Sequence, residues 1–279
     1  MYCSGALQAT YRPAGFMRMA LKSGKGSLVL ILGKTARKWF CGPGAQAMLE
    51  RERIGLEIAS RCPVWGSPAL PLEFRKFRTT VAAAGQRFSV DNEPELGAFV
   101  TDRVRAALSV GIPQPAVELF SLAALENVLC RAGGSHLLAK VQAVVAELVL
   151  PSGPTHGDLH RGNLLLLEGL IRVIDFDRFR PVGCPLFDLL HFQLGEEQRG
   201  TGRRWLDELC ARSDLVETAA LGLVAPDALF IAYSLQRIGH EGQAAVFQGK
   251  PLGKYASQTE QALSCWGQRR RAAESIKLT

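Results

Sequence analysis

The chain has 279 residues, of which 47% are hydrophobic, so it can bury a substantial core, and two lobes fit this length better than a string of modules. Its formal net charge of +7 favours an anionic ligand or partner, such as a nucleotide, a phosphorylated sugar, an acidic membrane surface or nucleic acid. No apolar run approaches the ~20 residues of a membrane span, and no secretory signal pattern opens the sequence. The seven cysteines contain no C-x-x-C pair, so we expect free thiols in a cytoplasmic protein.

The first regular stretch is predicted to be a β-meander. Three runs, residues 16–21, 28–32 and 35–40, are separated by glycine-containing turns. In the first turn, Gly24 and Gly26 would let backbone N–H groups approach phosphate oxygens. An ordinary hairpin turn explains these two glycines equally well, so both interpretations stay open from the residues alone.

A helix is predicted over residues 45–60, and it carries a carboxylate on its apolar side. Glu52 falls on the same stripe as the hydrophobic residues of this segment. A core-facing carboxylate is costly unless a cation meets it, which predicts a partner. Lys38, on the strand just before, is the natural candidate. Lys34 and Glu50 are the rival assignments, and a pair of ordinary surface charges is the plainer alternative.

The middle of the chain is predicted to change from strands to helices. An irregular, proline-containing stretch follows residue 62, and a hinge between lobes is expected near residues 91–94. Asn92 is the expected N-cap of the next helix. The further elements predicted here are strands at 72–78 and 87–90, and helices after Asn92, at 118–130 and at 136–150.

The most informative stretch is residues 155–177. The string T-H-G-D-L-H-R-G-N places Asp158 on a glycine-bounded loop and Asn163 directly before an apolar run. A turn at Glu168 and Gly169 then leads into a second apolar run, which ends at Asp175 in V-I-D-F-D. Pairing of these two runs as a hairpin would bring Asn163 and Asp175 close together.

These residue types suggest phosphoryl transfer to a hydroxyl. Asp158 would accept the proton of the attacking oxygen, and Asn163 and Asp175 would hold Mg²⁺, a hard ion that prefers oxygen ligands. Asp and Asn are also common turn formers, which is the plainer interpretation of each alone. The joint pattern favours the site. No dinucleotide-binding G-x-G-x-x-G follows a strand, and no Walker motif is present.

H-G-D-L-H-R-G-N with V-I-D-F-D resembles the catalytic and metal-binding segments of the aminoglycoside phosphotransferase and choline kinase-like family, over about residues 154–195. The resemblance implies a protein-kinase-like fold of the α+β class. Such a fold has a small N-terminal β-sheet lobe with one main helix and a larger, mostly helical C-terminal lobe. On this sequence the two lobes are expected at residues 1–91, which would bind the nucleotide, and 92–279, which would hold the catalytic and acceptor-binding residues.

The resemblance also implies a use of ATP and Mg²⁺ by particular residues. Asp158 corresponds to the catalytic base, and Asn163 and Asp175 to the Mg²⁺ ligands. Lys38 and Glu52 correspond by order and spacing to the family's lysine–glutamate pair, in which the lysine reaches the α- and β-phosphates of ATP.

Four further positions take supporting roles in this resemblance. Gly24 and Gly26 lie where the fold keeps its nucleotide loop. His156 resembles the scaffold histidine of the catalytic loop, hydrogen-bonded to backbone. Asp188, in the predicted helix 185–194, resembles the family's aspartate that braces the catalytic loop, which is a structural role.

The spacing after the metal motif indicates the kind of acceptor. Only residues 178–184 separate Asp177 from the next helix, so a peptide-docking activation segment has no room. Asp177 also stands where D-F-G has its glycine, as in the small-molecule kinases of the family. The expected acceptor is a small hydroxyl compound: a sugar, a saccharide-lipid, an amino alcohol or an aminoglycoside.

The rest of the chain is predicted to be helical, with the clearest segments at 203–212, 226–238 and 255–271. Aromatic residues and histidine there either frame an acceptor pocket or pack in the core: Trp205, Tyr233, His240 and Trp266. Acidic residues that could attract a polycationic aminoglycoside alternate with arginines: Glu196, Glu197, Asp207, Glu208, Asp214 and Glu217. We therefore favour a neutral or anionic acceptor.

Two other classes of function stay open from the sequence. One is a kinase-like binding module without catalysis. The other is a basic protein that uses the same fold on a membrane surface or on nucleic acid, although no nucleic-acid-binding motif surrounds the arginine run 269–271.

Overall fold

The computed structural model describes residues 17–20, 27–32, 35–41, 44–75, 79–83 and 93–277. The chain divides into two compact units, one of Met1–Phe99 with His156–Pro181, and one of Val100–Thr155 with Val182–Thr279. The expected boundary between residues 91 and 92 lies outside the described residues and stays a prediction, as does the predicted strand at 87–90.

The first unit contains a five-stranded antiparallel sheet in the order β1-β2-β3-β5-β4. Its strands are β1 (Met17–Ala20), β2 (Ser27–Leu32), β3 (Thr35–Phe40), β4 (Glu73–Arg75) and β5 (Thr79–Ala83). The predicted meander is therefore present as β1 to β3. Within the predicted strand 72–78, residues Glu73–Arg75 form β4, and residues 76–78 lie outside the described residues. Within the sheet, Lys38 on β3 lies between Val29 and Thr80.

Helix α1 (Ala45–Arg61) follows the third strand and buries one face. The buried positions Ala45, Glu52, Gly55, Leu56 and Ala59 recur three, four or seven residues apart, as one side of a helix requires. Its end is closed by the N–H of Cys62, which donates to the carbonyl of Ala59. The predicted helix 45–60 is thus present almost to the residue.

A two-stranded hairpin completes the first unit. Strands β9 (Leu164–Leu167) and β10 (Leu170–Val173) pair antiparallel, with Val173 opposite Leu164. The turn residues Glu168 and Gly169 both have positive φ, at 54° and 75°. Two successive positive φ angles match the right-handed twist of the flanking strands, which makes this a favourable hairpin connection.

The second unit is mostly helical, and α2 begins in the first unit and ends in the second. The helices are α2 (Glu93–Leu108), α3 (Ala116–Leu119), α4 (Leu122–Arg131), α5 (Leu138–Ala146), α6 (Pro185–Thr201), α7 (Trp205–Ala211), α8 (Ser213–Ala220), α9 (Pro226–Phe247) and α10 (Gly253–Lys277). The short strands are β6 (Pro113–Pro115), β7 (Val149–Pro151), β8 (Gly153–Thr155) and β11 (Arg180–Gly183). None of the helices in the described part of the chain is long and apolar enough to cross a membrane.

The core of the second unit forms where α9 packs against α4. A Cβ placed on Gly242 would lie 2.5 Å from a methyl carbon of Val128, so only a glycine lets the two helices approach this closely. On the same face of α9, Gly239 lies against Leu125. The predicted helix at 226–238 is longer in the structure and extends to Phe247. It forms the buried centre of the unit.

Extended backbone replaces part of the predicted helices 118–130 and 136–150. The predicted helix 118–130 is divided into α3 and α4, because Phe120 adopts extended backbone. The predicted helix 136–150 stops at Ala146, and residues 149–151 form β7 instead. Pro151 cannot continue a helix, and the segment finds its backbone partner in Pro113–Pro115.

Candidate active site

The H-G-D turn places Asp158 on a tightly packed loop of the first unit. Gly157 has φ +82°, and a Cβ there would lie 2.5 Å from the carbonyl oxygen of Arg178. Both the backbone conformation and the lack of space therefore demand glycine. Asp158 follows directly and is 5% exposed.

His156 joins the loop that carries Asp158 to the segment that carries Asp175. Its Nδ1 accepts a hydrogen bond from the backbone N–H of Asp158 at 3.3 Å, and its Nε2 lies 3.0 Å from the carbonyl oxygen of Ile174. A carbonyl can only accept, so Nε2 carries the proton and the ring is neutral in this arrangement. The ring is fully buried. The structure thus places both ring nitrogens of His156 on backbone groups, and its implied role as the scaffold histidine stays a prediction.

Asn163 is held at the start of the hairpin by one side-chain and one backbone hydrogen bond. Its side-chain Nδ2 donates to the carbonyl of Asp158 at 2.9 Å, so the amide oxygen is the end that remains to face a ligand. Its own carbonyl accepts from the N–H of Ile174 at 3.0 Å. The hairpin therefore brings Asn163 to the residue next to Asp175, as the pairing of the two apolar runs predicts.

Asp175 adopts a backbone conformation that few side chains tolerate. Its φ is +68°, in the left-handed region, which costs a non-glycine residue about 1–2 kcal/mol. Such strain persists only where surrounding contacts fix it, and it occurs often at functional sites. Here the carboxylate Oδ1 accepts from Lys38 Nζ at 3.1 Å.

Lys38 bridges two carboxylates, because its Nζ also lies 3.0 Å from Glu52 Oε2. Burial alone would lower the pKa of Lys38, but the charges of Asp175 and Glu52 outweigh it and raise that pKa. Burial raises the pKa of Glu52 to about 7, against the opposing effect of Lys38. One ammonium shared between two acids leaves an excess negative charge, and Glu52, at 3% exposed, is the carboxylate that burial penalises.

The rival glutamate is not arranged in this way. Glu50 lies on the exposed face of α1 and pairs with Arg53, at 2.6 Å between Oε1 and Nη2. Lys34 lies outside the described residues, and so do Gly24 and Gly26. The nucleotide-loop role of the two glycines stays a prediction.

Two further charged residues, Arg178 and Asp177, lie at the polar site, and neither is among the predicted site residues. Arg178 Nη1 lies 3.7 Å from Asp158 Oδ1. Burial, followed by the charge of Asp175, raises the pKa of Asp177. Their position directly after V-I-D-F could have indicated that they lie at the site, because a turn that places Asp175 there also brings the next residues close to it.

An aromatic cluster supports the loops beneath these polar groups. The ring of Phe176 lies between His156 and Trp65, with centroid distances of 4.8 and 6.4 Å, and Phe179 is 6.0 Å away. Trp65 also contacts His156, at 6.0 Å, and is fully buried. Trp65 comes from the irregular stretch after α1, where no periodicity marked it as a core residue, so sequence reasoning missed it.

Asp188 lies in the second unit, in the first turn of α6, and is 2% exposed. A carboxylate in the first turn is favoured by the exposed N–H groups and the positive end of the helix dipole. Its implied role as a brace of the catalytic loop stays a prediction.

The donor set at the hairpin fits Mg²⁺. Asn163 and Asp175 offer oxygen ligands, which this ion prefers, and Asn163 has its amide nitrogen already engaged. In the part of the chain that the structure describes, no group of three or more His, Cys, Asp or Glu side chains could hold a metal ion. Two protein ligands are still compatible with Mg²⁺, because this ion usually combines one or two protein carboxylates with water and substrate phosphates.

Comparison with known proteins finds similarity to a family of phosphotransferases. Residues 86–223 match the model described as the phosphotransferase enzyme family. The matched segment contains Asp158, Asn163 and Asp175, while Lys38 and Glu52 precede it. Through this segment, just under half of its length, the chain is similar to the phosphotransferase enzyme family. No curated protein sequence matches the chain.

Solved structures of similar fold include three small-molecule kinases. A putative fructosamine-3-kinase from Thermobifida fusca is 16% identical, with a TM-score of 0.57 over 91% of this chain and 94% of that one. The choline kinase LicA from Streptococcus pneumoniae is 14% identical, with a TM-score of 0.52 over 90% and 93%. The aminoglycoside phosphotransferase APH(2'')-Ib, in its ADP-bound form, is 15% identical, with a TM-score of 0.52 over 90% and 93%. These similarities confirm the predicted α+β, protein-kinase-like fold.

Proposed function

We propose that this protein transfers the γ-phosphate of ATP to a hydroxyl group of a small molecule, with Mg²⁺. The observation that carries the proposal is the contact of Lys38 with both Glu52 and Asp175, at 3.0 and 3.1 Å. A buried glutamate holds the lysine beside the residue that would bind the metal, which is the arrangement kinases need to hold ATP phosphates.

In this mechanism Asp158 orients the acceptor hydroxyl and accepts its proton. A bond forms between the acceptor oxygen and the γ-phosphorus, while the bond from that phosphorus to the bridging oxygen breaks and ADP leaves. Arg178, 3.7 Å from Asp158, adds positive charge next to the position of the transferred group. Most of the acceleration comes from positioning and charge neutralisation, because phosphoryl transfer leaves the protein little covalent work.

Asn163 and Asp175 are the residues that would hold Mg²⁺. When bound there, the ion neutralises charge on the phosphate oxygens. Lys38 would hold the nucleotide phosphates from the β3 side, and Glu52 would hold Lys38. His156 would keep the backbones of Asp158 and Ile174 at a fixed separation, so that the base and the metal ligands stay in register.

The acceptor that these observations favour is a small neutral or anionic hydroxyl compound, such as a saccharide or a saccharide-lipid. Four of the six acidic side chains that could attract a polycation, Glu196, Glu197, Asp207 and Asp214, are paired with neighbouring arginines. Arg212 binds both Glu197 and Asp214, and Arg204 binds Asp207. Because these carboxylates are already neutralised, they give little support for an aminoglycoside. A saccharide-lipid would bring peripheral contact with a membrane, which the positive net charge supports.

Two alternatives make different predictions. A kinase-like binding module would bind ATP without turnover, and the intact set of Asp158, Asn163 and Asp175 argues against it. A basic membrane-surface or nucleic-acid-binding protein would bind anionic vesicles or polymers in a salt-sensitive way without consuming nucleotide.

The test is a screen of hydroxyl acceptors with γ-labelled ATP and Mg²⁺. We expect label to move to at least one acceptor, and Asp158→Asn to abolish the transfer while nucleotide binding persists. Asp102→Asn, which makes the same chemical change at an exposed position of α2, is the matched control and should leave transfer unchanged. ATP binding without any turnover would support the binding module. Salt-sensitive binding to anionic vesicles with no ATP binding would support the surface protein.

A further inference from the structure

Gly55 in the middle of α1 meets the metal-binding loop with no space for a side chain. A Cβ placed on it would lie 1.9 Å from the carbonyl oxygen of Phe176 and 2.9 Å from its carbonyl carbon. Glycine destabilises a helix interior relative to alanine, so helix preference does not explain its presence. Gly97, in the interior of α2, has nothing within 4 Å of the same built position. Gly55 is therefore required by a backbone contact.

This contact lies directly beside the charged residues of the site. Gly55 is three residues after Glu52, on the same buried face of α1, and Phe176 follows Asp175. The closeness of Gly55 to Phe176 therefore limits the separation of Glu52 and Asp175. Lys38 can reach both carboxylates at 3.0 and 3.1 Å only while that separation is short.

The loop cannot retreat to admit a methyl group on the helix. The ring of Phe176 is 1% exposed and packed against Trp65 and His156. The strand before it is fixed as well, because the N–H of Val173 donates to the carbonyl of Pro68 at 2.8 Å and its carbonyl accepts from Leu70. A methyl group on Gly55 would therefore displace α1, and Glu52 would move with the helix.

We infer that Gly55 is a positioning residue for nucleotide binding, which sets the distance at which Lys38 bridges Glu52 and Asp175. The inference rests on the proposed function, because it assigns Lys38 to the ATP phosphates. Gly55 does not touch the substrate. It acts through the backbone contact with Phe176, and its effect is confined to the lysine that this contact places.

The first test compares Gly55→Ala with Gly97→Ala for binding of ATP in the presence of Mg²⁺, by isothermal titration calorimetry on the full chain. We expect Gly55→Ala to bind about tenfold more weakly or worse, as for loss of a charge-assisted contact. Gly97→Ala should stay within about twofold of wild type, because its methyl group meets nothing. Circular dichroism and thermal unfolding should show both variants folded.

A double-mutant cycle with Lys38→Ala separates positioning from general damage. If Gly55 acts through Lys38, adding Gly55→Ala to Lys38→Ala should weaken ATP binding by no more than about twofold further, because the two changes remove the same contact. A defect of the whole unit would weaken binding by the same factor in both backgrounds.

Three results would overturn the inference: an equal loss in both backgrounds, a Gly55→Ala protein that binds ATP as Gly97→Ala does, or a Gly55→Ala protein that does not fold. The last would show that Gly55 serves the fold of the unit. These results differ from a failure of the proposed function, in which the wild-type protein itself binds no ATP with Mg²⁺.

Discussion

Replacement of Glu52 by glutamine should stabilise the protein at high pH while it impairs nucleotide binding. Burial raises the pKa of Glu52 from 4.5 to about 7. An acid with a raised pKa in the folded state binds more protons folded than unfolded, so stability is lost as the pH rises from about 4.5 towards 7. Glutamine has nearly the same shape and cannot ionise, so the variant lacks this pH-dependent loss.

The magnitude follows from the size of the pKa shift. Each pKa unit corresponds to about 1.4 kcal/mol, so this single group should cost the wild-type protein about 2–3 kcal/mol of unfolding free energy between pH 5 and pH 8. The difference in unfolding free energy between Glu52→Gln and wild type should therefore move by that amount in favour of the variant. At pH 8, where Glu52 of the wild type is ionised, the variant should bind ATP more weakly, because Lys38 loses the carboxylate that holds it.

The assay is urea unfolding followed by circular dichroism at pH 5, 6, 7 and 8, for wild type, Glu52→Gln and Glu50→Gln. Glu50 is the matched control, because it lies on the same helix, is exposed and pairs with Arg53. Its pKa is lowered, first by the hydrogen bond from Arg53, so its contribution has the opposite sign. Parallel pH profiles for wild type and Glu52→Gln, or a variant that binds ATP as wild type does, would refute this reasoning.

Two other substitutions test the proposed metal ligand and the aromatic support. Asp175→Asn should lose the Mg²⁺-dependent part of ATP binding, because it removes the charge of the proposed oxygen ligand, which is also one of the two partners of Lys38. Equal Mg²⁺ dependence in calorimetric titrations of variant and wild type would contradict this. Trp65→Ala should lower the unfolding free energy by about 3–5 kcal/mol, as for a buried aromatic residue, and denaturant titration would measure it; a loss below about 1 kcal/mol would show that the cluster with His156 and Phe176 is not a core.

The hairpin and its polar ends could be predicted because their information is local. Two apolar runs separated by a two-residue turn predict β9 and β10. The pairing of these adjacent strands then fixes which residues face each other. Asn163 and Asp175 follow from that register. Glu52 could be predicted to meet Lys38 because a carboxylate on a helix's apolar stripe requires a cation.

The contacts that depend on distant segments could not be predicted. Trp65 and Phe176 are more than a hundred residues apart in the sequence, and neither lies in a periodic pattern that indicates its partner. The importance of Gly55 could not be predicted from the sequence either. The residue leaves room for the carbonyl oxygen of Phe176, which lies more than a hundred residues away along the chain. The early end of the predicted helix 136–150 had the same cause, because a backbone partner elsewhere in the chain decided it.

The central claim is that Asp158 activates an acceptor hydroxyl for attack on ATP. The most direct measurement is the single-turnover rate of phosphate transfer from γ-labelled ATP at saturating nucleotide, for wild type and Asp158→Asn, with ATP affinity measured alongside. We expect the rate to fall by about 10²–10⁴-fold, the usual contribution of a general base. ATP affinity should stay within about threefold of wild type, since the role proposed for Asp158 involves the acceptor and not the nucleotide. An Asp158→Asn variant that transfers phosphate at the wild-type rate would contradict the account.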